Sequence, residues 1–267
     1  MTKFSNFFGE NSPLKTVLPG FRPREGQGEM AIDICNAIDR KKNLIIEAGT
    51  GIGKTFAYLA PALMSGKKII ISTGTKTLQD QLYKRDLPLI AKVLGRPVST
   101  SLLKGRSNYL CLHRLDNATT NDKALSQDLK IIHEWKFQTD TGDLSEINGI
   151  SETSNVWSMV TCTNDNCSSP SYDQCYFFKA RKLAQKTDLS VINHHLLFAD
   201  LAMKEEGFSD FLPEAEVFII DEAHQIPDIA TQFFGKSIGT IEIERFIKEL
   251  LLKAIVLNEA KTIKSID

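Results

Sequence analysis

"NLIIEAGTGIGKTFAYLAPALMSG", residues 43–66, is the stretch on which the fold turns. A short apolar run, "NLIIEA", reads as a strand. Next comes a loop with three glycines in which only Ile52 is bulky and apolar, and then a helix, "KTFAYLAPALMSG", that Gly66 stops. The loop follows the P-loop pattern with Ala48 in place of the leading glycine. Gly49, Thr50, Gly51 and Ile52 then lead into Gly53-Lys54-Thr55. Side-chain-poor backbone of this kind lets N–H groups wrap a phosphate, and the helix behind it points its positive end at the same place. Lys54 would reach the β- and γ-phosphates and the Thr55 hydroxyl would ligate Mg²⁺, so the implied cofactors are ATP and Mg²⁺.

Outward from the loop, the pattern alternates. "REGQGEMAIDICNAIDRKKN" places Met30, Ile34, Cys35 and Ile38 at helical spacing, and Cys35 falls on the apolar, core-facing side. "KKIIIST" is a near-continuous apolar strand, as a parallel sheet covered on both faces requires. "TKTLQDQLYKRDLPLIAKVLG" is helical to about Gly95, "PVSTSLLKG" reads as a further strand, and "EVFIIDEAH" as a buried strand with polar residues at its carboxyl end. The predicted class is α/β, a doubly wound parallel sheet with ligands at the carboxyl ends of its strands. Asp221 would hold the Mg²⁺, Glu222 would polarise the attacking water, and His224 would report on the γ-phosphate. Lys54, Asp221 and Glu222 are thus the candidate catalytic residues.

Composition bounds the rest. The chain has 267 residues, 42% hydrophobic and 24% charged, with net charge −1, so any nucleic acid would have to meet a local basic face. No run approaches the roughly 18 apolar residues of a membrane span, and the amino terminus lacks a signal-peptide core. A cytoplasmic, membrane-free and monomeric protein is expected, which makes its five cysteines free thiols or metal ligands rather than disulfides. Four of them, Cys111, Cys162, Cys167 and Cys175, fall within or at the edges of a polar region, 111–180, where the strand and helix pattern breaks down. This region reads as an insertion. Four thiolates match a [4Fe–4S] cluster. A four-cysteine zinc site is the rival, although it usually shows two tight CxxC pairs and none is present.

Together "AGTGIGKT" and "DEAH" resemble the nucleotide motifs of superfamily 2 helicases. "FRPREGQ", "STGTKTLQDQL", "LLKGRSNYLCLHRL" and "VINHHLLFAD" narrow the likeness to the iron–sulfur DNA helicases related to XPD, in the bacterial DinG and YoaA branch. The resemblance implies that Gln27 reads the adenine edge with Arg24 nearby, and that Thr73, Gln79 and Gln81 contact the nucleic-acid strand. It also favours Lys104, Arg106, Lys179, Arg181 and Lys182, with Tyr109, Tyr176 and Phe177 interleaved, as a mixed basic and aromatic face for single-stranded or forked DNA. His194 and His195 take structural or DNA-proximal roles.

The implied organisation is a RecA-like motor domain 1 split into 1–110 and 181–228, an inserted iron–sulfur domain at 111–180, and the start of a helical arch at 229–267. The expected function is ATP-dependent 5′→3′ unwinding in DNA repair or replication, with proteins of those processes as partners. A second motor domain, whose arginine finger is worth about 10³–10⁵ in rate, would be missing, so Mg-ATP binding is expected with little hydrolysis or unwinding. The alternative is a non-motor nucleotide- and DNA-binding iron–sulfur module. A DEAH-type RNA helicase leaves the cysteine insert without an account.

Overall fold

The apolar runs of the sequence meet side by side in a computed structural model of the chain, which describes residues 2–49, 51–163, 167, 172–205, 207, 211–236 and 239–264. In chain order the elements are α1 (Thr2–Phe8), α2 (Gln27–Arg40), α3 (Lys54–Ser65), β1 (Ile69–Thr73), α4 (Lys76–Gln81), α5 (Leu87–Leu94) and β2 (Thr100–Leu102). Then follow α6 (Leu112–Asp116), α7 (Lys123–Trp135), α8 (Val156–Val160), α9 (Tyr176–Lys186), β3 (Leu189–Asn193), α10 (His194–Glu205), β4 (Val217–Ile220), α11 (Ile226–Phe234) and α12 (Thr240–Lys264).

The four strands form one all-parallel sheet in the order β2-β3-β1-β4. Ile71 is paired with Val191 on one side and Ile219 on the other. Every residue of β1 and β3 is buried, because apolar side chains cover both faces of the sheet. On one face Ile69, Ile71, Leu189 and Val191 pack with Ala31, Leu59, Leu63, Leu87 and Ile90 from α2, α3 and α5. On the other face Ile70 and Ile192 pack with Ala184, Leu196 and Leu197 from α9 and α10. The expected doubly wound α/β class therefore holds.

Three local expectations differ. Residues 42–49 form no strand, and Ile45 is 97% exposed. Apolar character makes a strand only where a neighbour takes the backbone N–H and C=O groups, and no described strand lies beside this run. The strand expected within "PVSTSLLKG" shrinks to Thr100–Leu102. The long helix ending at Gly95 is broken by a π turn at Leu82–Asp86. Pro88, just inside α5, has no N–H to offer the carbonyl four residues back, and a widened turn absorbs the mismatch.

Helix α1 had no forewarning. Its Phe4, Phe7 and Phe8 are buried in the same cluster as Leu14, Ala31 and Tyr58. Between β2 and β3, a separate cluster gathers Tyr109, Leu110, Leu115, Leu129, Ile132, Val156, Val160, Tyr176 and Phe177. Met1–Ile229 form one compact unit and Ala230–Asp267 a second. The second is dominated by α12, which leaves Ile241, Phe246 and Leu252 exposed. Among the described residues no helix is long and apolar enough to cross a membrane.

Candidate nucleotide site and cysteine cluster

The P-loop needs backbone that side chains would obstruct. Gly51 and Gly53 both sit at φ +85°, in the left-handed region that glycine enters without strain. A Cβ on Gly53 would also overlap the Gln27 amide. Gln27 is buried, and its Nε2 donates to the Gly53 carbonyl at 3.0 Å. Its Oε1 has no partner among the described residues, which leaves an acceptor beside the loop. Arg24 reaches the same point, 3.2 Å from where a Gly53 Cβ would lie. The upstream element and the loop therefore meet in space, with Lys54 opening α3. Thr50 lies outside the described residues.

Asp221 and Glu222 follow directly on β4. Glu222 takes φ +55°, uncommon for a residue with a side chain, and this turns its carboxylate toward the loop. Lys54 Nζ stands 3.4 Å from Glu222 Oε1, and His224 Nδ1 stands 3.3 Å from Glu222 Oε2. Lys54 and the polar end of β4 thus face each other across this pair.

Asp221 is fixed from several directions. Its N–H donates to the Ser72 carbonyl at 2.9 Å, and its Oδ1 accepts the Glu222 N–H at 3.1 Å. Its Oδ2 accepts the Tyr58 hydroxyl at 3.2 Å. Thr55 acts on the same hydroxyl, lowering its pKa, so the two candidate Mg²⁺ ligands share Tyr58 as a neighbour. Burial raises the Asp221 pKa and the charge of Glu222 adds to it, while the Tyr58 hydrogen bond and Lys54 oppose the rise. Burial, then the Asp221 charge, hold the Tyr58 phenol well above its ordinary value, so it stays a proton donor.

His194, fully buried, bridges the strand ends. Nδ1 meets Ser72 Oγ at 2.7 Å and Nε2 meets the Asp221 carbonyl at 2.9 Å. Burial lowers its pKa, which suits a neutral structural tie. Tyr58 and Ser72 were not singled out from sequence. Tyr58 lies one helical turn after Lys54, a weak signal that only the position of Asp221 makes meaningful.

Several residues of the expected DNA face lie inside the protein. Thr73, Gln79, Lys104 and Tyr109 are interior residues, each 5% exposed or less. Gln79 donates to the carbonyls of Leu103 and Val191 at 2.9 and 3.2 Å, so helix α4 turns it inward to tie down strand edges. Lys104 is held by Asp80 and Asp143, and the Tyr109 hydroxyl accepts the Lys104 N–H at 3.0 Å. Polar residues so engaged present no surface to a strand. Arg106 is half-buried, with its guanidinium 4.5 Å over the Phe177 ring. Gln81 and Lys179 are exposed, and Arg181 is half-buried with Nε donating to the Phe211 carbonyl at 3.1 Å.

The four cysteines are free thiols. Cys111 and Cys175 each precede a helix, α6 and α9, without a side-chain cap bond. Cys162 is buried, and its thiol is pushed up to about 12 by burial, then by its neighbours Cys111 and Cys167, with Arg106 opposing. Arg106 also donates to Cys167 Sγ at 3.1 Å. Cys162 thus neighbours Cys111 and Cys167, and Arg106 lies beside Cys162 and Cys167. Among the described residues, no group of three or more His, Cys, Asp or Glu side chains is placed to hold a metal ion. Residues 164–166 and 168–171 of the cysteine loop lie outside those described.

Comparison with known proteins extends this picture. A DEAD/DEAH box helicase model matches residues 29–132 and a DEAD_2 model matches residues 81–243. The chain is 47% identical over 252 residues to the ATP-dependent DNA helicase YoaA of Escherichia coli (strain K12), covering 92% of this chain and 40% of that protein. It is 49% identical over 255 residues to the protein of the same name from Haemophilus influenzae, covering 93% and 40%. Against the 3'-5' exonuclease DinG of Bacillus subtilis it is 32% identical, covering 88% of this chain and 26% of that protein. The chain thus spans about 40% of the length of the YoaA relatives. The DEAD_2 match runs from α4 past the DEAH residues over more than half the sequence, and the chain belongs to the DEAD_2 family.

Proposed function

We propose that the chain is the ATP-binding motor portion of a DNA helicase, a RecA-like domain carrying a [4Fe–4S] insert, that serves 5′→3′ unwinding in DNA repair or replication. The observation that carries the nucleotide part is the Lys54–Glu222 pair, which joins the P-loop to the end of β4. Mg²⁺ would be held by Thr55 and Asp221, with Glu222 aligned to polarise water. Gln27 Oε1, buried and without a described partner, suits the exocyclic amine of adenine.

The cysteines fit a cluster by donor chemistry. Cys162 has Cys111 and Cys167 as electrostatic neighbours, Cys175 stands at the start of α9, and together the four would supply the one thiolate per iron that a cluster takes, although as placed they do not form a metal-holding group. It would supply a rigid inorganic tie between the polar insert and the sheet. Gln81, Lys179 and Arg181 remain the candidate contacts to single-stranded DNA, and such binding should weaken steeply with salt as counterions are released.

Two measurements test this reading. Anaerobically purified protein should be brown, with about four iron and four sulfide per chain. A colourless, folded protein with stoichiometric zinc would refute the cluster. ATP binding should require Mg²⁺ and hydrolysis should rise on adding single-stranded DNA; hydrolysis indifferent to DNA would favour a non-motor binding module. Tyr58→Phe should raise the Mg²⁺ concentration for half-maximal ATP binding by about three- to ten-fold, the worth of one hydrogen bond that orients a ligand. An unchanged Mg²⁺ titration would remove Tyr58 from the site.

A further inference from the structure

Among the described residues, Lys104 is the largest side chain that is buried almost completely, at 1% exposure. Its ammonium faces Asp80 Oδ1 at 2.8 Å and Asp143 Oδ2 at 2.6 Å, and donates to Ser145 Oγ at 3.1 Å. Two carboxylates and one hydroxyl thus surround the ammonium; the Ser145 contact is a hydrogen bond, whereas Asp80 Oδ1 is held by charge alone, without a hydrogen-bond partner among the described residues. Burial opposes the charge, but the two carboxylates outweigh it and the pKa lies above the ordinary lysine value.

The three oxygens come from two different places. Asp80 belongs to α4, which follows β1 directly, and its neighbour Gln79 is tied to the carbonyls beside β2 and β3. Asp143 and Ser145 belong to the insert. Asp143 pairs with Tyr109 in an antiparallel bridge, and Leu110 N–H donates to the Gly142 carbonyl at 2.8 Å. Cys111 comes next, its N–H donating to the Val160 carbonyl at 2.8 Å. A buried charge group of this kind costs desolvation, and its use is to specify one arrangement of the segments that share it.

We infer that Lys104 is a positioning residue that couples the cysteine-bearing insert to helix α4, so that a disturbance of the insert is felt at the segment leaving β1. The coupling stands on these contacts alone and survives if the cluster reading fails. Gly142 offers a clean disturbance. It sits at φ +66° and a Cβ there would overlap the Tyr176 ring, so Gly142→Ala strains the insert without touching the motor side.

Hydrogen exchange on the whole chain tests the inference. Asp80→Asn cuts only the α4 arm and leaves Lys104 and Asp143 as a matched pair. In the parent chain, Gly142→Ala should speed exchange on the order of ten-fold both at 140–147 and at 76–86, a typical coupling between linked sites. In the Asp80→Asn background it should do so at 140–147 only, with β1, β3 and α3 protected throughout. If 76–86 responds equally in both backgrounds, or in neither, Lys104 is not the coupling residue. Should Gly142→Ala fail to fold, Val160→Ala, which opens a cavity in the insert core, supplies the same disturbance and the same criteria.

Discussion

Lys54→Ala is expected to weaken Mg-ATP binding by about 100-fold or more while leaving the chain folded. A lysine on two phosphate oxygens makes two charge-assisted contacts, each worth roughly 1.5–3 kcal/mol, and every 1.4 kcal/mol is about ten-fold in affinity. The folded state depends on Lys54 far less. Its side chain and that of Glu222 are each 31% exposed and 3.4 Å apart, so losing the pair should cost at most about 1 kcal/mol. A titration with a fluorescent ATP analogue, set beside a urea unfolding curve, separates the two effects. Unchanged affinity in a folded variant would remove the P-loop assignment. Glu222→Gln should behave differently, keeping affinity but losing hydrolysis, because its carboxylate is assigned to water rather than to phosphate.

The parts of this site that could be read from sequence share a property: short spacing constrains them. Gly53-Lys54-Thr55 and Asp221-Glu222 are contiguous, and the chemistry needs those residue types next to one another. The strand at 69–73 belongs to the same class, since a covered parallel strand is apolar at nearly every position. The apolar run at 217–220 also forms its strand, but as a sheet edge with Phe218 53% exposed rather than a buried one, and no strand is expected from sequence at 189–193. The failures share the opposite property. "NLII" is as apolar as β1, yet whether it pairs depends on a neighbouring edge that its own residues cannot specify. Lys104 reads as part of a surface face because charge is visible in a sequence and exposure is not, and resemblance alone sets Gln79 beside a nucleic-acid strand. Their partners lie far along the chain: Gln79 meets Leu103 and Val191, and Lys104 meets Asp80 and Asp143. Local spacing contains no hint of such contacts. Helix α1 went unread for a milder reason. Seven residues are too few to establish a period, although Phe4, Phe7 and Phe8 do lie along one face.

Lys104→Met should be the most damaging single change away from the nucleotide site. Methionine fills nearly the same volume, so little cavity is created and the cost is electrostatic. Two carboxylates lose their shared cation, and Asp143, with its side chain 6% exposed, cannot recover water in exchange. Removing one member of a buried ionic group costs about 3–5 kcal/mol, a large part of the total stability of a typical domain. The wild-type contribution should also have a defined pH window. Because the folded-state pKa of Lys104 lies above its ordinary value, the stabilisation is complete at neutral pH, and it fades only as pH climbs through and beyond the normal lysine range. Urea midpoints for the two proteins between pH 6 and 8 should therefore differ by a large amount. Lys104→Met combined with Asp80→Asn and Asp143→Asn should recover much of the loss, since no unpaired charge is then left inside. A single variant as stable as the parent would mean that water reaches Asp80 and Asp143, and that Lys104 does not hold the two segments together.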